Sequence, residues 1–323
     1  MAIQTALDSI SNSSGSPFGF KNRIINGAMV IDQRNAGASV TPTVSTYLVD
    51  RWTATLAGAS SKFSMQQNAG SVTPPAGFTN YFGVTSLSAY SVAAGDVQAI
   101  QQSIEGLNTA DLAWGTANAQ TVTLSFWVRS SLTGTFGGSL RNEANDRSYP
   151  FSYTISSANT WEYKTITIPG DTTGTWLTNT SVGIRVNFGI GVGSTGSGTA
   201  GAWAAGNFRS ATGAVSVVGT NGATWYITGV QLEKGSTATS FDYRDYGTEL
   251  RLAQRYYQTS TVFVSGSADT YYGVWAFKVS MRAAPTIAGG GAGFVAATTA
   301  NTEMWSGYQT TRGFQTLTAS IEL

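Results

Sequence analysis

The chain has 323 residues, 18 Lys plus Arg against 17 Asp plus Glu, and neither histidine nor cysteine, which excludes a serine–histidine–acid triad, a thiol nucleophile, thiolate metal sites and disulfides. Charged residues make up 11% and glycines number 38, where soluble domains carry roughly 25% charge, so the surface must rest on hydroxyls and amides. With a net charge of +1 and no Lys/Arg cluster able to track a phosphate backbone, nucleic acid is not expected as a partner, and no cofactor is expected either.

Residues 1–20 read as an N-terminal docking tail and linker, because "ISNSSGSP" at Ile10–Pro17 is Ser/Gly-rich and separates a short segment from the body. That segment lacks the basic and apolar regions of a signal peptide. No run elsewhere reaches the roughly 18 apolar residues of a membrane span, so membrane insertion is not expected.

From 21 to 243 short strand patterns recur: "YLVDRWTATL", "SKFSMQQ", "TVTLSFWVRS", "WEYKTITIP", "SVGIRVNFGI" and "TWYITGVQL", with turns at "NAGSVTPPAG", "GDTTG" and "GTNG". Strands with almost no helical periodicity predict an all-β chain built on a β-sandwich. Val122, Leu124, Phe126 and Val128 alternate onto one face, as do Val182, Ile184, Val186, Phe188 and Ile190, so both strands are expected to be half-buried. The opposite faces carry Trp127 with Arg129, and Arg185 with Asn187. An indole beside guanidinium and amide groups can stack on a sugar ring and bond its hydroxyls; the competing expectation is that a loop or a neighbouring subunit covers this face. "GVGSTG" at Gly191–Gly196 matches a dinucleotide pattern, but no helix pattern follows it, and it reads as a flexible surface loop.

Residues 244–258 form a helical junction: Leu250, Ala253 and Tyr257 fall at helical spacing beside Leu252 and Tyr256, and the acids of "FDYRDYGTELR" alternate with Arg244 and Arg251, which predicts local ion pairs. A smaller β-domain is expected over 259–323. There "TYYGVWAFKVSM" places Tyr271, Trp275, Phe277, Val279 and Met281 on one face, with Tyr272 off it. Trp305, Tyr308 and Arg312 in "MWSGYQTTRG" read either as an exposed, sugar-binding tip or as buried. The 17 carboxylates show no spacing that singles out a glycosidase-like acid pair.

Several ordered blocks carry a resemblance: "NRIINGAMVIDQRNAG" from Asn22, "YLVDRWTATLAG" from Tyr47, "ADLAWGTANAQTVTLSFWVRSSLTGTFGG" from Ala110 and "YITGVQLEKGSTATSFDYRDYGTELRLAQRYYQ" from Tyr226. They resemble a family of phage and prophage virion proteins described as tail fibre or receptor-binding proteins, over roughly Asn22 to Met281. The strands in "TVTLSFWVRSS" and "WYITGVQLEKG" also resemble jelly-roll carbohydrate-binding modules. Relatives often carry Cys near Ala253, and this chain has none. The resemblance implies a non-enzymatic homotrimer on the virion, joined to other phage tail proteins by its N-terminal tail and binding host surface polysaccharide. A structural capsid fibre or baseplate adaptor without glycan binding and a polysaccharide depolymerase are the alternatives.

Overall fold

The computed structural model describes residues 21–267, 270–289, 294–309 and 313–323; the expected docking tail lies outside them. The chain divides into two compact units, one ending at Tyr243 and the other beginning at Arg244. The first carries β1 (Thr46–Tyr47), β2 (Thr53–Ala57), β3 (Phe63–Gln67), β4 (Phe82–Ser86), β5 (Val97–Glu105), β6 (Val122–Ser130) and β7 (Gly134–Arg141). It continues with β8 (Arg147–Ile155), β9 (Glu162–Ile168), β10 (Val182–Val192), the two-residue strands β11 (Ser197–Gly198), β12 (Ala204–Ala205) and β13 (Ser210–Ala211), and β14 (Thr224–Lys234).

These strands form a jelly-roll sandwich. One sheet runs β3-β4-β14-β6-β9 and the other β1-β2-β5-β10-β7-β8-β12, and the chain passes repeatedly from one to the other. The alternation in the sequence explains what lies between them: Val122, Leu124, Phe126 and Val128 of β6 face Ile184, Val186, Phe188 and Ile190 of β10, all essentially inaccessible. Phe126 and Phe188 meet edge to face at 5.1 Å, and the indole of Trp225 donates to the Tyr153 hydroxyl at 3.0 Å. Burial pushes the Tyr153 phenol well up, so it stays neutral in the core.

Two expectations are corrected. β6 and β10 are covered on much of their outer faces as well: Thr123, Ser125 and Asn187 are as inaccessible as the core, because loops lie across both sheets. Gly191–Gly196 is no loose loop. It closes β10 and turns against the segment before β5, where Gly193 donates to the Asp96 carbonyl at 2.8 Å and a Cβ on Gly193 would stand 2.1 Å from the Ala93 carbonyl oxygen; glycine is there for close backbone approach.

The second unit opens with α1 (Tyr246–Gln254), capped by Asp245, whose carboxylate accepts the Thr248 amide at 3.0 Å. The expected ion pairing occurs between Arg244 and Glu249 at 3.3 Å, while Arg251 turns to the Gly247 carbonyl. Tyr257, read as helical, instead begins a strand. β15 (Tyr257–Ser267), β16 (Thr270–Ala276), β17 (Thr286–Gly289), β18 (Phe294–Ala300), β19 (Met304–Gln309) and β20 (Gly313–Ser320) form an antiparallel sheet ordered β17-β20-β15-β16-β19-β18. β16 stops at Ala276 rather than running on to Met281, because the Gln258 side chain takes up the next backbone groups: its Oε1 accepts from Lys278 N at 2.8 Å and its Nε2 donates to the Val279 carbonyl at 2.9 Å. Trp275, Met281, Ile287, Trp305 and Leu317 pack beneath the sheet. No helix among the described residues is long and apolar enough to cross a membrane.

Candidate functional site

The outer face of the five-stranded sheet carries a cleft of about 440 Å³, within the range of small-ligand sites. Its geometry starts with an irregularity in β14. Pairing with β6 slips between Thr228 and Gln231, and Gly229 there has φ +60°, the left-handed region that glycine adopts freely. A Cβ at Gly229 would stand 2.6 Å from the Phe78 ring, so the bare backbone is the floor on which Phe78 sits. Phe78 in turn packs with Phe241 and Tyr243 at 5.1 and 5.6 Å.

On the neighbouring strands Trp127 and Tyr163 are cross-strand partners with ring centroids 5.4 Å apart. These five rings line the cleft together with the hydroxyl-bearing Ser125, Thr239 and Ser240. Tyr163 is 43% and Tyr243 60% exposed, so the aromatic surface is open to solvent. The rim is held from below. Buried Glu233 accepts the Thr239 hydroxyl at 2.6 Å and its amide at 2.9 Å, and buried Gln231 accepts the Asp242 amide at 2.8 Å. Such ties reduce the ordering that a ligand would otherwise impose.

Arg129 does not line this cleft. It lies over the Tyr226 ring at 5.6 Å and donates to the Asn159 carbonyl at 2.9 Å, beside a packed group of Tyr81, Tyr226 and Trp161. Arg185 and Asn187 are further away still. Because β6 and β10 both turn their apolar faces into the same core, Trp127 points out of one side of the sandwich and the Arg185–Asn187 pair out of the other. Alternation along each strand was legible, but which sheet each strand would join was not. Arg185 is engaged by the Glu143 carboxylate at 2.7 Å and by the Asn142 and Glu143 carbonyls, and Asn187 is fully buried.

In the second unit Trp305 is fully buried against Trp275 and Leu317, which corrects the reading of an exposed tip there. The register of β16 and β19 explains it: Trp275 and Trp305 are direct partners on the core face. Tyr272 and Tyr308 are partners in the same ladder, and Arg312 lies outside the described residues. Sequence reasoning passed over Phe78, Tyr163, Phe241 and Tyr243; the only signal was the crowding of aromatics around "SFDY", which mimics a junction. It also passed over three mutually edge-on indoles, Trp114, Trp176 and Trp203, at 4.7 to 5.4 Å. Each donates its N–H to a backbone carbonyl, and the adjoining space of about 10 Å³ holds no more than a water. Among the described residues no cluster of three or more acidic side chains is placed to hold a metal ion.

No family model matches the chain, and comparison with curated proteins returns no match. Among solved structures it is similar to the enzymatically active domain of bacteriophage CBA120 tailspike protein 4, at 13% identity and TM-score 0.32 over 66% of this chain and 21% of that one. A CBM4 structure gives 13% identity and TM-score 0.32 over 65% of this chain and 98% of the other. The family 11 carbohydrate-binding module of a Clostridium thermocellum cellulosomal cellulase gives 11% and 0.29, over 63% and 99%.

Proposed function

We propose that the chain is a non-enzymatic attachment subunit of a phage virion, of tail-fibre type, and that it holds a host cell-surface glycan in the Trp127 cleft. The observation that carries this reading is an open surface of five aromatic rings, two on the sheet and three on the segments packed against it, edged by Thr239 and Ser240. A pyranose presents an apolar face that stacks on such rings and equatorial hydroxyls that reach the rim. The sequence adds that general bases are scarce, with no histidine or cysteine in 323 residues, and its ordered blocks resemble virion receptor-binding proteins, which implies a homotrimer with residues 1–20 docked on the particle. Each cleft would bind weakly. Several copies on one particle raise the effective concentration, so adhesion is strong while single contacts exchange.

A glycan array probed with the full chain, then with Trp127→Ala and Tyr163→Ala, tests the reading. Removing one stacking ring should weaken the bound glycan by roughly tenfold. Unchanged binding in both variants would refute the site, and release of reducing ends from the bound polysaccharide would refute the non-enzymatic assignment. Light scattering on the same variants separates glycan binding from subunit contact. If Trp127→Ala dissociates the oligomer and no glycan binds the parent chain, the cleft is an interface.

A further inference from the structure

On the outer face of the seven-stranded sheet, opposite the cleft, two arginines stand side by side and a third follows on the strap that bonds one of them through Asn207. Arg141 of β7 and Arg185 of β10 are direct cross-strand partners. Arg209 joins them because Gly137 of β7 has no side chain: a Cβ there would stand 2.5 Å from the Ala211 amide, so the strap around Ser210 lies directly on the sheet. The Arg209 amide is fixed to the Gly196 carbonyl at 2.7 Å.

Compensation for these three charges is thin. Glu143 pairs with Arg185 at 2.7 Å, and Asp146 is engaged by the Asn142 amide at 2.6 Å instead. Arg141 is only 1% exposed, yet its acceptors are all neutral amides: Gln101 at 2.9 Å, Asn145 at 2.7 Å, Asn187 at 3.4 Å, and Asn207. The buried Nε–H groups of Arg141 and Arg209 and the hydroxyl of fully buried Ser139 have no hydrogen-bond partner among the described residues. Burial, with Arg209 and Arg185 beside it, pushes Arg141 down to about 8 against the upward pull of Glu143; burial and Arg185 likewise lower Arg209. Orphaned donors and uncompensated charge are expensive to keep in a fold without a partner. In a chain with only 18 basic residues, three in one cluster are a conspicuous outlay.

We propose that this cluster receives an oxyanion carried on a saccharide, a uronate carboxylate or a sugar phosphate. Arg209, half-buried, is the donor that reaches the ligand, while Arg185, held by Glu143, and the buried Arg141 supply positive charge beside it. A guanidinium fork matches either oxyanion bidentately. The inference rests on the glycan-binding reading for the saccharide, but it concerns the other face of the sandwich and is tested separately.

The test is calorimetric titration of the full chain with trigalacturonate, its methyl ester, glucose 1-phosphate and inorganic phosphate, followed by Arg209→Gln and Arg185→Gln. At least one charged saccharide should bind, more weakly as salt is raised. The neutral ester should bind the unaltered chain roughly tenfold more weakly than the acid, a comparison that needs no variant. Arg209→Gln should remove that difference while Trp127→Ala leaves it. Preference for glucose 1-phosphate, with competition by inorganic phosphate, assigns the phosphate source; preference for trigalacturonate assigns the carboxylate. The proposal is overturned if no charged saccharide binds, if acid and ester bind alike, if Arg209→Gln binds the acid as the parent does, or if Arg209→Gln merely changes the oligomeric state. None of those outcomes touches neutral-glycan loss in Trp127→Ala, so failure here and failure of the cleft remain distinguishable.

Discussion

Gly229→Ala is the sharpest probe of how the fold builds the cleft. The substitution meets two separate penalties. At φ +60° an L-residue sits in the left-handed region, which costs about 1–2 kcal/mol. The new Cβ would also stand 2.6 Å from the Phe78 ring, and Phe78 is pinned by Phe241 and Tyr243. Overpacking of this kind costs about 1–3 kcal/mol. Gly222 supplies the control: its φ is +73° but nothing lies within 4 Å of a Cβ there, so Gly222→Ala should meet only the backbone penalty. For a unit of this size 1 kcal/mol shifts Tm by about 2–4 °C. Calorimetric melting should therefore show Gly229→Ala lowered by roughly 7–14 °C for a midpoint penalty of about 3.5 kcal/mol, against roughly 3–6 °C for the midpoint of about 1.5 kcal/mol in Gly222→Ala. Binding of any cleft glycan should fall in Gly229→Ala alone. Equal shifts in the two variants would refute the claim that Phe78 is seated on the bare backbone of the bulge.

Two further outcomes are expected. Asp96 accepts the Tyr90 hydroxyl at 2.5 Å and the Ala93 amide at 2.8 Å, and these hold its carboxyl below the usual range. A depressed carboxyl contributes stability that is present above its unfolded value near 3.9 and is lost as pH falls through the folded value. The urea midpoints of parent and Asp96→Asn should thus differ by a constant amount above about pH 5 and converge below pH 4; a gap that persists at pH 2 would remove the carboxylate from the explanation. Trp305→Ala should destabilise the second unit by about 3–5 kcal/mol through cavity formation. Glycan binding by the first unit should be untouched, and a fall in binding as large as that of Trp127→Ala would contradict the burial of Trp305.

How much of this could be read in advance depended on periodicity. β6 and β10 alternate cleanly, and their inward residues form the core as expected. β5 does not alternate, because glutamines stand among its apolar residues and are satisfied inside: Gln102 bonds the backbone of Ile25 at both ends, at 2.9 and 2.8 Å, and Gln98 reaches the Ala59 carbonyl at 2.5 Å, so this fully buried strand carries no two-residue period to read. β7 with paired glycines and β8 with Pro150 mid-strand were hidden for the same kind of reason, since those residues are weak strand formers on their own. The second unit misled in the opposite sense. Trp305 sits in a Gly- and Thr-rich stretch that resembles a turn, yet its ladder with Trp275 places it inside.

By itself the amino-acid sequence determined what chemistry is absent, that the chain is all-β, and which residues of the clear strands turn inward, because those follow from residue type and from the two-residue period of a strand. Only the tertiary structure decided that Trp127 and Arg185 leave the sandwich on opposite sides, that Phe78, Phe241 and Tyr243 join Trp127 across 165 residues of chain, the distance from Phe78 to Tyr243, and that Arg209 lands beside Arg141. Those are matters of which strand pairs with which and of where a glycine lets two backbones touch. Neither leaves a local period in the sequence to be read.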